Sequence, residues 1–68
     1  MAKYVDLIQL LNTAGDAVVE FTKLDGSTRL MRCVWGEEGK VEDAYSVVFD
    51  VEAEGYRRIR HDSIVRVG

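Results

Sequence analysis

The chain has 68 residues, of which 47% are hydrophobic and 31% are charged, and its formal net charge is −3. A chain of this length predicts a single domain over residues 1–68, and no stretch approaches the roughly 20 apolar residues of a membrane helix, so no membrane partner is expected. The acidic balance argues against indiscriminate binding to a phosphate backbone, and the single cysteine excludes an internal disulfide and is typical of a reducing, cytoplasmic setting.

The charges are distributed unevenly along the chain. Residues 37–54 carry seven acidic side chains against Lys40 alone, whereas residues 55–68 carry four arginines against Asp62. If the two segments form neighbouring strands, cross-strand ion pairs on a solvated face are the simplest outcome, each contributing about 0.2–1 kcal/mol. The alternative is an arginine-rich patch that meets an anionic partner.

The first thirteen residues have the spacing of an amphipathic helix. Tyr4, Leu7, Ile8 and Leu11 follow the i, i+3, i+4, i+7 pattern, and the stretch from Asn12 to Gly15 is a plausible stop. The spacing predicts a helix over about 2–12. Its apolar stripe either covers the chain's own core, which is the more common use, or docks on a partner.

The strongest local signal is the pair Asp25-Gly26 between two alternating apolar runs. This pair is typical of a tight hairpin, because the reversal needs a positive φ that few residue types reach cheaply. Both runs predict antiparallel strands with one apolar face each. That face comprises Ala17, Val19, Phe21, Met31, Cys33 and Trp35.

A charged loop bracketed by Gly36 and Gly39 follows the hairpin. The carboxylates that surround it lack the alternating spacing of a calcium loop, which favours a solvated loop over a metal site. Residues 44–51 then alternate as a third strand, and residues 56–60 form a fourth after a turn at Gly55. Residues 64–67 are long enough for a closing strand, after a single helical turn over 61–63. Five short strands and one helix indicate a small barrel or a strongly bent sheet.

The residues that catalysis needs are scarce in this sequence. His61 is the only histidine, and Cys33 lies in the phase of the apolar face, where a buried and inert thiol is the ordinary outcome. One histidine and one cysteine do not complete a zinc site, and no glycine-rich phosphate-binding loop is present. We therefore expect a non-enzymatic protein without a metal or a cofactor.

The last hairpin combines aromatic and arginine side chains, as binding surfaces of small barrels do. Tyr56, Arg58 and Arg60 share one face of the fourth strand, with Trp35 or Tyr45 as further members of the site. The alternative places Tyr56 and Trp35 in the core and pairs the arginines with Asp50, Glu52 and Glu54. The candidate ligand-binding residues are Arg57, Arg58, Arg60, Tyr56 and Trp35.

Two stretches of the sequence form a recognisable pattern over roughly residues 18–67. The first reads Phe21-Thr22-Lys23-x-Asp25-Gly26-x-x-Arg29-x-Met31, and the second ends in Tyr56-Arg57-Arg58-Ile59-Arg60-x-Asp62-Ser63-Ile64. With these stretches the chain resembles a family of small, mostly uncharacterised proteins of tailed bacteriophages, including T4-like phages and cyanophages. That resemblance implies a host-cell cytoplasmic setting.

The second stretch is also similar to the ending of WYL domains, which are SH3-like or Sm-like barrels of bacterial transcription regulators. Their last strands read aromatic-Arg-x-aromatic-Arg-x-Asp-Arg-Ile. This chain departs from the pattern at Tyr56 and Ile59, where bulkier aromatics are usual, and at Ser63, where arginine is common. The resemblances imply a mainly β fold, a small SH3-like, five-stranded antiparallel barrel over 16–67 with a short N-terminal helix.

In WYL domains the corresponding arginines lie near a ligand or nucleic-acid surface, which points to Arg57, Arg58 and Arg60. The first functional hypothesis is therefore a module that binds nucleic acid or a nucleotide-like anion. The second is a protein-interaction or oligomerisation module that acts on a host or phage protein through the acidic surface of residues 37–54 or an exposed barrel edge.

Overall fold

The computed structural model describes residues 3–68 and contains one α-helix, six strands and one 3₁₀ turn. The predicted start of the helix at residue 2 lies outside the described residues. The elements in chain order are α1 (Lys3–Thr13), β1 (Ala17–Thr22), β2 (Thr28–Val34), β3 (Lys40–Val41), β4 (Tyr45–Asp50), β5 (Gly55–Arg60), the 3₁₀ turn (His61–Ser63) and β6 (Ile64–Val67).

All pairings in the sheet are antiparallel, and the sheet curls into a half-barrel. The order is β3-β4-β2-β1-β6, and β5 pairs with β4. The predicted mainly β, barrel-like fold with an N-terminal helix is thus confirmed. The strand count differs because β3, a two-residue strand, adds to β4. Among residues 3–68 no strand pairing joins β5 to β6, so the sheet is strongly curled without closing there, and β5 keeps a free edge.

The β1–β2 hairpin forms as the Asp-Gly pair predicts. The register places Val19 opposite Met31, and Gly26 adopts a φ of 92°, a region that residues with a Cβ avoid. Below the turn, the Lys23 amide donates to the Ser27 carbonyl at 2.7 Å. The alternating apolar residues from Ala17 to Cys33 are buried, so the predicted inner face of this hairpin is confirmed.

The core lies between this hairpin, the helix and the last strands. Helix α1 contributes Leu7 and Leu11, both buried, which confirms that its stripe covers the chain's own core. Tyr4, Leu10, Trp35 and Val67 pack against the core while partly exposed. Among residues 3–68, no helix is both long enough and apolar enough to cross a bilayer.

Strand β4 has an inverted pattern of burial: it buries the face that carries its polar side chains and leaves its aromatic side chains partly exposed. The side chains with the lowest exposure are Ser46, Val48 and Asp50, each at 0%, whereas Tyr45 and Phe49 are only partly buried. An alternating strand buries either of its two faces, depending on its register with its neighbours. Here the aromatic face points away from the core, and this orientation produces the candidate site.

Candidate binding surface on the second hairpin

A buried carboxylate, Asp50, ends strand β4 and organises the turn that follows. Its Oδ2 accepts a hydrogen bond from Nη2 of Arg29 at 2.8 Å and lies 3.7 Å from Nε of Arg57. Its Oδ1 accepts from the backbone amides of Glu52 and Ala53, each at 3.1 Å. A buried charge requires such partners, since isolation from water is costly. Asp50 therefore fixes the turn and attracts the guanidinium of Arg57.

The buried hydroxyl of Ser46 is also fully partnered. It lies 2.7 Å from Nε2 of His61, whose Nδ1 lies 3.1 Å from the Asp43 carbonyl. A carbonyl oxygen only accepts, so Nδ1 carries the proton, and in the neutral ring the Ser46 hydroxyl donates to Nε2. The ring also stacks on Tyr4 with centroids 3.8 Å apart. His61 thus ties the 3₁₀ turn to β4 and to the helix.

Cys33 is buried, as the sequence predicts. Burial raises the pKa of its thiol to about 11, and the negative charges of Asp50 and Asp16 add to the increase. The thiolate is the nucleophilic form, so this environment suppresses thiol chemistry near neutral pH.

The outward-facing side of β4 and β5 carries the aromatic residues that the core does not use. We call it the outer face. It comprises Tyr45, Val47, Phe49, Tyr56, Arg58 and Arg60. The Arg58 guanidinium lies 4.5 Å from the centroid of the Tyr45 ring, close enough for a cation–π contact. Phe49 and Tyr56 meet edge to face, with centroids 5.2 Å apart.

Tyr56 is held in place while the residue stays 40% exposed. Its hydroxyl accepts a hydrogen bond from the Glu38 amide at 3.0 Å. The neighbouring Gly36 has a φ of 67°, and a Cβ at that position would lie 2.5 Å from the Tyr56 hydroxyl. Glycine therefore allows both the loop conformation and the close approach of the ring. The result is an ordered aromatic surface beside arginines.

A groove of about 880 Å³ runs between β5 and the turn of the first hairpin. We call it the edge groove. Its basic lining consists of Lys23, Arg57, Arg58 and Arg60. Two acidic residues also line it, and one of them, Asp62, lies 3.2 Å from Arg60. The balance of charge in the groove is therefore positive, although the whole chain is acidic.

The predicted site residues are only partly brought together. The three arginines line the edge groove, and Tyr56 lies beside Arg58 on the outer face. Trp35 lies elsewhere, because its Nε1 donates to Asn12 at 2.9 Å and its ring packs on the core. Tyr45, which the sequence offered as an alternative to Trp35, lies on the outer face beside Arg58.

The alternative in which Asp50, Glu52 and Glu54 neutralise the arginines holds for Arg57 alone, while Arg60 pairs with Asp62 instead. Arg57 approaches Asp50, but among residues 3–68 no ion pair joins these arginines to Glu52 or Glu54. That part of the alternative is wrong, because the turn directs both glutamates to solvent, where they are exposed. Arg58 contacts a ring rather than an acid.

Sequence reasoning missed the contribution of the first turn to the groove. Phe21, Lys23 and Leu24 line it, and Leu24 is 98% exposed. A basic and an apolar residue directly before an Asp-Gly pair were a usable signal, because a leucine at a hairpin tip does not pack into the core.

Within the described part of the chain, no cluster of three or more metal-ligating side chains occurs.

The comparisons with known proteins yield no relative. No family model matches the chain, and no curated protein or solved structure is significantly similar to it.

Proposed function

We propose that this protein is a non-catalytic module that binds single-stranded nucleic acid on the outer face. The setting that we propose, the cytoplasm of a phage-infected bacterium, depends on the sequence resemblance alone. The supporting observation is the inverted strand β4, which buries Ser46 and Asp50 while directing Tyr45 and Phe49 outward.

The aromatic residues of the outer face suit unpaired bases. A base stacks on an exposed ring whatever its identity, and each such contact is worth about 1–3 kcal/mol. Tyr56 offers a partly exposed residue, Arg58 is the next residue on the same face, and Arg60 follows Arg58 on that face, so both arginines are available for the phosphates. In a duplex the bases are stacked on each other and cannot reach these rings, so single strands are the expected ligand.

Charge supports a local rather than a general attraction. The net charge of −3 weakens non-specific association with duplex DNA, which depends on neutralising many phosphates. Three arginines, Arg57, Arg58 and Arg60, lie within the six residues of β5 and give that strand a local positive charge. We therefore expect modest affinity, a shallow dependence on salt, and selectivity for single strands over duplex.

Fluorescence anisotropy with labelled oligothymidylate and oligouridylate at low salt tests the proposal. Tyr56→Ala is expected to weaken binding about tenfold through the loss of one stacking contact. Arg58→Gln is expected to weaken it several-fold. The absence of binding to both single strands, or tighter binding to a duplex of the same length, contradicts the proposal.

Arg66→Gln is the matched control for Arg58→Gln. It removes the same charge from another exposed strand position, where Arg66 lies 3.0 Å from Glu20 on the β1–β6 pair. Its effect is expected to stay below twofold. Equal losses for both variants would indicate a dependence on net charge alone rather than on the outer face.

A protein-interaction or oligomerisation module is the second candidate. Two apolar side chains favour it, because Leu24 and Leu30 are 98% and 59% exposed and lie outside the proposed nucleic-acid surface. Light scattering over a range of concentrations tests self-association. A monomer at all concentrations contradicts the oligomerisation form of this candidate.

A further inference from the structure

Strand β5 has one free edge. Among residues 3–68 its only strand neighbour is β4, and its other side borders the edge groove. A free edge presents unpaired backbone donors and acceptors, which serve as a template for another strand.

The hydrogen-bond pattern of the β4–β5 ladder identifies the free backbone groups. The His61 amide donates to the Ala44 carbonyl at 2.8 Å, so these two residues form a hydrogen-bonded pair. Bonded and non-bonded pairs alternate along an antiparallel ladder. The continuous register from Tyr45 to Asp50 therefore turns the amides and carbonyls of Tyr56, Arg58 and Arg60 away from β4 and toward the groove.

Within residues 3–68, most of these groups have no hydrogen-bond partner. The Arg60 carbonyl accepts a hydrogen bond from Oγ of Ser63 at 2.7 Å. The amides of all three residues and the carbonyls of Tyr56 and Arg58 remain for an incoming strand. Together they span about 13 Å of edge, enough for five residues of extended chain.

We propose that an extended peptide with acidic side chains at alternate positions adds as an antiparallel strand to the free edge of β5. Strand addition of this kind obtains affinity from main-chain hydrogen bonds and specificity from alternate side chains. The inference does not depend on nucleic-acid binding, because its hydrogen bonds come from the backbone of the edge. It shares with the proposed function only the guanidinium groups of Arg58 and Arg60.

The charges and shape of the groove determine the peptide's chemistry. Residues directly opposite Tyr56, Arg58 and Arg60 direct their side chains to the outer face, where acidic groups meet the two guanidinium groups. The intervening side chains point into the groove toward Phe21 and Leu24, where apolar groups fit. The expected ligand therefore alternates acidic and apolar residues.

A second copy of this chain is a poorer occupant. Antiparallel pairing of β5 with the β5 of another molecule would bring arginines of the two copies opposite each other or on adjacent rungs. Like charges directly opposite each other destabilise a strand pair. Basic residues on this edge thus oppose self-association while they favour an acidic strand.

The first test uses the native protein and a labelled peptide of alternating glutamate and valine. Anisotropy is expected to show saturable binding, with none for the matching lysine and valine peptide. In the antiparallel arrangement the glutamate amides face β5, so N-methylation of those amides is expected to weaken binding at least tenfold. N-methylation of the valine amides should change it less than threefold. Any other pattern overturns the proposal.

Variants at one position separate the backbone from the charge. Arg58→Pro removes both the guanidinium and an amide that faces the groove, whereas Arg58→Thr removes the guanidinium and its contact with Tyr45 but keeps the amide. Proline is expected to weaken peptide binding about tenfold more than threonine. If circular dichroism shows that Arg58→Pro is unfolded, the N-methylated peptides decide the matter without it.

Two further outcomes would overturn the inference. One is dimerisation on light scattering that a folded Arg58→Pro variant loses, together with no binding of the Glu-Val peptide, since that makes a second copy the occupant of the edge. The other is binding of oligothymidylate without binding of the peptide, which leaves the proposed function standing. Peptide binding without oligonucleotide binding would support strand addition and contradict the proposed function. The two proposals can therefore fail separately.

Discussion

The two long hairpins of this domain differ in the kind of side chain that they direct toward the core. In β1–β2 the inward residues are apolar, and the pattern alone identifies the core face. In β4–β5 the inward residues include Ser46 and Asp50, while Tyr45 and Phe49 face outward. Hydrophobic alternation therefore identifies a strand without deciding which face is buried. A strand that buries polar groups and exposes aromatic rings is more informative about function.

The turns of the two hairpins share a local device. Oδ1 of Asp25 accepts from the Ser27 amide at 3.0 Å, and Oδ1 of Asp50 accepts from the Glu52 amide at 3.1 Å. Both are Asx-type contacts to an amide two residues further on. They differ in burial, because Asp25 is exposed to water while Asp50 is enclosed and requires Arg29 as a counter-charge.

The largest effect is expected when the buried carboxylate is removed. Asp50→Ala leaves the Arg29 guanidinium and two turn amides without their acceptor, so it should lower the free energy of unfolding by about 3 kcal/mol. Asp16→Ala removes an acid that lies 2.8 Å from Arg32, the same distance as in the buried pair, but both partners are solvated. Its cost should stay below about 1 kcal/mol. Urea unfolding measures both.

A double-mutant cycle sharpens that comparison. Arg29→Ala should be costly in the native background and nearly neutral once Asp50 is alanine, because the carboxylate is its main partner. Equal losses for the Asp50 and Asp16 variants would mean that burial does not distinguish the two hairpins.

Local signals predict most of this fold. The Asp25-Gly26 pair, the helical spacing that includes Leu7 and Leu11, and the single turn over 61–63 were each readable from short windows. Strand β3 was not, because two residues carry no periodicity and its pairing with Val47 and Ser46 depends on the tertiary arrangement. The open edge of β5 was not readable either, since closure depends on how strongly the sheet curls.

The sequence predicted which residue types form the candidate site better than it predicted which of them lie together in space. Arg58 and Tyr56 share an outward face as the period of two requires. Trp35 follows the inward phase of Met31 and Cys33, and its bond to Asn12 depends on helix docking, which a strand pattern cannot show. The contribution of Leu24 arises between elements distant in sequence.

A smaller effect, with opposite signs in the two turns, is expected from backbone conformation. Gly26 has a φ of 92° and open space where a Cβ would lie, so Gly26→Ala should cost about 1 kcal/mol through backbone strain alone. Glu54 has a φ of 56°, so Glu54→Gly should stabilise by a few tenths to about 1 kcal/mol, after the entropy that glycine adds to the unfolded chain. Thermal unfolding of both variants gives the signs, and changes in the same direction refute this account of the turns.

The smallest effect concerns the exposed aspartate of the first turn. Hydrogen bonds from the Ser27 hydroxyl and then from its amide hold the pKa of Asp25 below 3.8. Ser27→Ala removes the hydroxyl and keeps the amide, so the pKa should rise toward 3.8 without reaching it. A lowered folded-state pKa gives stability that is present above the unfolded pKa and is lost as the pH falls through the folded value. The variant should therefore lose less stability on acidification.

Side-chain carboxyl chemical shifts followed by NMR against pH measure the Asp25 pKa directly. Ser63→Ala serves as the control, because that hydroxyl donates to the Arg60 carbonyl and does not contact Asp25. An unchanged Asp25 pKa in Ser27→Ala would mean that the backbone amide alone sets it. The exposed turn would then depend on the same backbone contact as the buried one, and the hydroxyl would add nothing to the difference between them.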